Sequence, residues 1–320
     1  MTRRKAAVSG SGSILKRLRA GDPIAYTVTV TAAASILAIT FLLVYHLWTD
    51  SALPREKFGW SFVTGQVWDP VREQFGALPF IFGTVVTSIL ALLIAVPAGL
   101  GAAIFLAELA PRTLSSALTF MIELLAAVPS VIYGLLGIFL LVPFLQSYVV
   151  PPLVAVFGFL PIFQGTFYGP SVFSAGIVLA VMIVPFIVSV SREILLAVPN
   201  DQREAALALG STLWESTWKV VVPYARRGIM GSIFLALARA LGETMAVTMV
   251  IGNKNSIQAS LLEPGYSIAA VIANEFTEAT TDFYQQSLIE LALVLFALTV
   301  IINGLARLLI LSMDGGGRKA

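Results

Sequence analysis

The chain has 320 residues, of which 58% are hydrophobic and only 12% charged, against about 25% charged in soluble domains. That balance excludes an ordinary soluble domain, and the length accommodates several membrane spans of about 20 residues each. With no cysteine and a single histidine, His46, the chain offers no disulfide framework, thiolate metal site or histidine-rich metal constellation. The formal net charge of +2 says little by itself; the placement of the charges says more.

Residues 1–22 carry Arg3, Arg4, Lys5, Lys16, Arg17 and Arg19 among Ser and Gly and read as a basic tail at the membrane surface. The first apolar run, residues 24–48, is too long for a signal-peptide core and is followed by no small-residue cleavage site. It reads as an uncleaved anchor, with Tyr45, His46 and Trp48 at the interfacial belt. Residues 49–76, with Pro54, Trp60, Trp68 and Pro70, form an external loop, and 23–75 groups this loop with the first helix. The second span covers 77–108 and is closed by Pro111-Arg112. The third covers 114–145, kinked at Pro129 and Pro143. Residues 146–169 carry no charge but several Pro, Gly and aromatic residues, the composition of a re-entrant or interfacial segment. The fourth span is 171–190, the fifth 228–251 and the sixth 283–311, with a second external loop at 253–282 between the last two. Residues 76–312 thus make a five-helix core, and 313–320 a short C-terminal tail. The fold class is an all-α polytopic membrane protein with six transmembrane helices.

Basic residues orient the spans. The tail, Arg112, Arg192, Arg203, Lys219, Arg226, Arg227, Arg307, Arg318 and Lys319 fall on one side, and only Arg55, Lys57, Arg72 and Lys254 on the other. The positive-inside rule then places both termini and the loop at 199–223 in the cytoplasm.

That loop is the polar, Gly-broken island between two apolar segments. Asp201-x-x-Glu204 reads as a capping box for a short helix through Leu209. Gly210 supplies the turn, Thr212-x-x-Glu215 caps a second short helix, and Pro223 stops it. Ala205, Ala206 and Leu209 form a small apolar face suited to a groove on a partner protein. No Gly-rich phosphate loop of the Walker type is present, so the chain is expected to bind no ATP by that route.

One basic residue remains inside the membrane, Arg239, within FLALARALGETMAVTMV. An Arg at mid-bilayer costs about 2.5–3.5 kcal/mol on insertion scales, so it is expected to face protein or a watery cavity. Glu243 follows one helical turn later and is expected to neutralise it in part, while Gly242 admits close backbone approach. Two readings stand side by side: a structural ion pair holding the bundle, and an anion gate in which the guanidinium fork matches a tetrahedral oxyanion. Weaker candidates are Glu123 and Ser130 beside the helix-breaking Pro129, and the hydroxyl stripe Thr84, Thr87 and Ser88. For Glu123, pairing with a loop Arg is an equal alternative; for the hydroxyls, helix-to-helix bonding is the stronger reading. Asn303 and Glu290 belong with the hydroxyls, and Gly99, Gly101, Gly134 and Gly137 read as packing residues.

The loop pattern E-A-A, then Gly210 after three more residues, then Pro223, resembles the EAA loop of bacterial ABC-importer permeases. ARALGETMAV resembles the fifth-helix motif of phosphate-importer permeases, the PstC-like subunits of Pst systems, as do IELLAAVPSVIYGLLG and AVPAGLGAAIFLAE. The resemblance covers most of 80–307 and implies a type I importer permease with a MetI-like core in a bacterial inner membrane. It implies that Glu204, Ala205, Ala206, Leu209, Gly210 and Pro223 couple to the ATPase, and that Arg239, Glu243 and Thr244 lie on the substrate pathway. It further implies a complex with a second, PstA-like permease, two PstB-like ATP-binding subunits and an external PstS-like phosphate-binding protein. ATP is then used by the partner, and this chain binds no cofactor and catalyses no covalent step. R-x-x-G-E alone is similar in sulfate and molybdate permeases, so sulfate, molybdate or tungstate is the alternative cargo. A secondary transporter is the remote alternative, because no inverted repeat is evident.

Overall fold

The computed structural model describes residues 22–312, in two compact units divided after Asp50. The basic tail and the C-terminal tail lie outside the described residues. In the first unit, α1 (Asp22–Thr49) is one unbroken helix. It presents Ile36, Leu37 and Leu42 on different sides, all exposed, and an apolar surface all round marks a bilayer span. Its hydroxyls bond to the preceding turn, as from Thr29 to the Ala25 carbonyl at 2.8 Å, so the span carries them without an unmet donor.

The second unit begins with short helices α2 (Ala52–Phe58) and α3 (Ser61–Thr64) and a hairpin of β1 (Trp68–Asp69) and β2 (Gln74–Phe75), with Trp68 opposite Phe75. Then come α4 (Leu78–Ile104), which ends in a π-helical turn at Phe105–Leu109, and α5 (Arg112–Ala126). They are followed by α6 (Ser130–Phe157), α7 (Val172–Leu196), α8 (Asn200–Ala208), α9 (Leu213–Leu241), α10 (Met245–Val250), α11 (Ile268–Glu275) and α12 (Asp282–Ser312). With α1, the helices α4, α6, α7, α9 and α12 make six long and apolar enough to cross a bilayer.

Helix α7 is the centre of this unit: 72% of its apolar window is buried, against 17–33% for the other four spans. Its Leu179, Ile183 and Ile187 are fully enclosed, and α4 packs closely against it because Gly99 lets Ile187 in. A second core joins the hairpin to α4, α11 and α12 through Phe62, Phe75, Phe80, Tyr266, Leu288 and Leu291. Polar anchors pin it: Glu275 accepts from Trp68 Nε1 at 2.8 Å and from the Tyr284 hydroxyl at 2.6 Å. Burial pushes the Tyr266 phenol up to about 12, so it stays neutral while accepting from the Asn274 amide.

Five expectations are corrected. The third span is Ser130–Phe157, not 114–145, because Pro129 disfavours helical backbone at the residue before it and separates α5 as its own helix. The uncharged stretch after residue 145 is therefore helical to Phe157; π-helical turns at Gly137–Leu141 and Leu145–Val149 flank Pro143 and carry the helix past it. Pro223 does not stop a helix either: a π turn at Thr217–Val221 precedes it, and α9 runs on to Leu241. Asp201 and Glu204 form no capping box, since α8 starts at Asn200 after Pro199 without a side-chain cap, whereas the box of Thr212 and Glu215 is present. Finally, the fifth span breaks at residues 242–244.

Gly83 shows how tightly the α4–α11 corner is set: a Cβ there would lie 2.1 Å from the Tyr266 carbonyl oxygen, while one at Gly101 would meet nothing within 4 Å. Gly83→Val is expected to destabilise the protein by at least about 2 kcal/mol and Gly101→Ala not at all, as read from thermal unfolding of the purified chain in detergent.

Candidate functional site

Two helix breaks build the site. The first lies between α5 and α6, at residues 127–129. There the Leu125 carbonyl accepts from Val128 N at 3.2 Å and from the Tyr133 hydroxyl at 2.7 Å, so the end of α5 is closed by a side chain from α6. The second lies between α9 and α10. Glu243 Oε1 accepts from Ala246 N at 3.2 Å, capping the first turn of α10, and Thr244 O accepts from Thr248 N and Oγ1.

The two breaks are neighbours because α6 packs on α10 at Gly134. A Cβ at that position would lie 2.6 Å from Met249 Sδ and 3.2 Å from Ala246 Cα. Two helices approach this closely only where one of them lacks a side chain. Gly137 repeats the device one turn on, against Val178 and Val250. The runs IELLAAVPSVIYGLLG and ARALGETMAV thus meet in space.

Arg239 occupies the last turn of α9 and is exposed in this chain. Its guanidinium lies 6.0 Å from the Phe186 ring centroid and within electrostatic reach of the Tyr133 hydroxyl. The expected partial neutralisation by Glu243 is corrected, because the helix ends at Leu241 before the next turn forms. Glu243 is half-buried and spends one oxygen on the α10 cap, and among the described residues no ion pair joins it to Arg239. A Cβ at Gly242 would meet only the Ala238 carbonyl oxygen, at 3.8 Å.

The remaining candidates divide. Ser130 opens α6 at the first break, and Thr244 is half-buried at the second. Thr84 is 3% exposed and fully engaged: its hydroxyl donates to Phe80 O at 2.8 Å and accepts from Ile268 N at 2.9 Å. It fastens α11 to α4 and lies away from any surface. Glu123 lines a cleft of about 510 Å³ with Arg112, Ser116, Thr119 and Arg192. Glu290 is buried in α12 with Oε2 lacking a hydrogen-bond partner.

In the loop at 199–223, Glu204, Ala205 and Leu209 are exposed, Leu209 at 90%. Gly210 takes φ +86°, the left-handed backbone that glycine adopts without strain, and turns the chain between α8 and α9. Ala206 points inward, correcting its place in the expected outer apolar face; Leu207, Leu213 and Trp214 supply exposed apolar surface instead. Sequence reasoning also missed Arg203 and Glu108, which pair at 2.7 Å with both side chains largely buried. An acid at the very end of an apolar span was the one available signal.

A central buried helix, breaks at two Pro- or Gly-marked points and an exposed Arg beside them belong to a multi-pass helical membrane protein. Residues 95–314 match the family described as binding-protein-dependent transport system inner membrane component, and the chain belongs to that family. It is 45% identical over 313 residues to the phosphate transport system permease protein PstC of Mesorhizobium japonicum, covering 97% of this chain and 96% of the relative. It is 47% identical to the protein of that name in Pasteurella multocida, over 89% of each chain. The probable phosphate transport system permease protein PstC of Methanocaldococcus jannaschii is 36% identical, over 91% of this chain and 93% of its own. The fold also matches a solved bacterial ABC transporter involved in import of the acidic polysaccharide alginate, with TM-score 0.51 and 18% identity over 88% of this chain and 98% of the other.

Because the chain has no native cysteine, single substitutions report accessibility directly. Arg239→Cys and Thr244→Cys in the purified chain are expected to react with a hydrophilic thiol reagent at least about tenfold faster than Thr84→Cys, whose side chain is enclosed. Equal rates would place Thr84 at the accessible surface after all.

Proposed function

We propose that this chain is the transmembrane permease subunit of an ATP-driven phosphate importer, forming half of the translocation pathway. The observation that carries this reading is Arg239, exposed on a single chain at a break in a membrane span. A guanidinium at that depth needs a facing chain or a water-filled path, and both are supplied when a second permease subunit closes around the site. The near full-length identity to relatives named as phosphate transport permeases supports phosphate as the cargo.

The two breaks suit this role. Irregular backbone at membrane depth is tolerated where it is buried in protein or lines a cavity. Arg239 offers a planar fork of donors to phosphate oxygens. Glu243 keeps one carboxylate oxygen beyond the α10 cap, and that oxygen accepts a hydrogen bond from the P–OH that phosphate retains near neutral pH. Sulfate carries no such proton, and the same carboxylate repels it. Selectivity and affinity thus rest on different residues of one break.

The loop at 199–223 is the contact for the ATP-binding subunit, with Leu209, Leu213 and Trp214 as the apolar surface entering its groove. ATP is bound and hydrolysed by that partner, present in two copies, and an external binding protein delivers phosphate. The complex sits in the bacterial inner membrane with both termini of this chain in the cytoplasm. Closure of the ATPase pair moves the loop, and the helices alternate access around the breaks.

Uptake of labelled phosphate and sulfate into proteoliposomes holding the full complex tests this reading. Arg239→Ala is expected to reduce phosphate uptake by about 10- to 100-fold, the worth of charge-assisted hydrogen bonds. Unchanged uptake would return Arg239 to bundle architecture, and sulfate uptake by the wild type in place of phosphate would overturn the cargo. Glu243→Gln, which keeps an acceptor oxygen but removes the charge, is expected to lower the preference for phosphate over sulfate by about tenfold or more. Unaltered selectivity in that variant would remove Glu243 from discrimination.

A further inference from the structure

Helix α8 meets the rest of the protein through a narrow contact. Glu204, Ala205, Leu207, Ala208 and Leu209 are all exposed, and Ala206 alone on its second half turns inward. At its first half stands Arg203, and there the contact is dense. Nε donates to Glu108 Oε2 at 3.1 Å and Nη2 to Glu108 Oε1 at 2.7 Å, a two-pronged fork. Nη2 also donates to the Leu195 carbonyl at 2.7 Å, and Nη1 to the Val198 carbonyl. Leu195 belongs to the last turn of α7, so the same guanidinium caps the central helix.

Glu108 is held out for this contact by local backbone. It lies in the π-helical turn at Phe105–Leu109, where Ala110 N bonds to Phe105 O at 2.8 Å. The adjacent Leu106 carbonyl is taken by the Ser115 hydroxyl at 2.8 Å. Beneath the fork, Ala103, Ile104, Leu106, Val188, Leu195 and Val198 form one apolar cluster. The side chains of Arg203 and Glu108 are 18% and 9% exposed, so little solvent screens the pair.

We propose that the Glu108–Arg203 fork is the latch that couples α8 to the ends of α4 and α7, making Arg203 a positioning residue for transport. This rests on the reading of the loop at 199–223 as the ATPase contact. A displacement of the outer face of α8 reaches the bundle through Arg203. Because one guanidinium holds the Glu108 carboxylate, the Leu195 carbonyl of α7 and the Val198 carbonyl just beyond it, α4 and α7 move together with α8. The fork's planar geometry transmits direction as well as force, which a lysine ammonium does not.

The test uses the complete complex in proteoliposomes, with three variants: Arg203→Lys, Arg203→Met and the charge-free pair Glu108→Gln/Arg203→Met. The pair removes both buried charges at once and so avoids an uncompensated carboxylate. In the assembled complex, phosphate taken up per ATP hydrolysed is expected to fall by about tenfold in the pair while ATP hydrolysis itself persists, with Arg203→Lys between. An independent reading is amide hydrogen exchange when a non-hydrolysable ATP analogue is added. In the wild type, residues 105–109 and 195–198 are expected to change protection together with 200–208; in the pair, 200–208 alone responds. A wild-type coupling ratio in the pair overturns the proposal, and so does failure of the pair to assemble, which would make the fork architecture. If the wild type takes up no phosphate, the exchange result still decides the latch, separating its failure from that of the cargo reading.

Discussion

A backbone polar group inside a bilayer has no water to bond with, and each one left unmet costs several kcal/mol. That constraint decides how this chain can interrupt its spans. At the first break the Leu125 carbonyl is taken by Val128 N and the Tyr133 hydroxyl, and at the second the Ala246 amide is taken by Glu243. At each break a backbone group is thus met by residues of the same motif. Gly134 then brings them against one another, since only a missing side chain allows Ala246 and Met249 so near. The site follows from this arrangement: two breaks, one junction, and Arg239 beside it.

The two arginines at the heart of the argument show what pairing decides. Arg203 is held by a carboxylate, two carbonyls and the Asn200 side chain, and breaking a buried pair of this kind typically costs about 3–5 kcal/mol. Arg239 has an aromatic ring at the edge of cation–π range and no carboxylate among the described residues. A side chain fully met by its own chain serves as a joint. On the proposed reading, Arg239 is left for a facing chain or the substrate, and the loop at 199–223 and the breaks are two ends of one device.

Helix-breaking residues behave differently at different places, and the difference is one of hydrogen-bond accounting. Pro129 separates two helices because the Tyr133 hydroxyl stands ready to take a freed carbonyl. Pro143 and Pro223 sit in continuous helices because π turns beside them widen the backbone around the ring. Proline marks a point of stress. Whether the chain yields there depends on what its neighbours can donate or accept.

The sequence by itself determined the class of this protein. Long apolar runs with very few charges have one stable environment, and the six spans, the loop at 199–223, the Thr212–Glu215 cap and the Gly210 turn are local properties that survive any packing. Arg239 stood out on the same ground, as a lone charge in an apolar run. Only the tertiary structure decided which of these residues meet. The break at 242–244 that parts Glu243 from Arg239, the burial of Thr84 and Ala206, the late start of the third span and the Glu108–Arg203 fork all depend on partners far away in the chain. Glu108 and Arg203 are 95 residues apart. No periodicity or composition carries such a pairing, because its energy arises only when packing brings the two groups together and excludes water from between them.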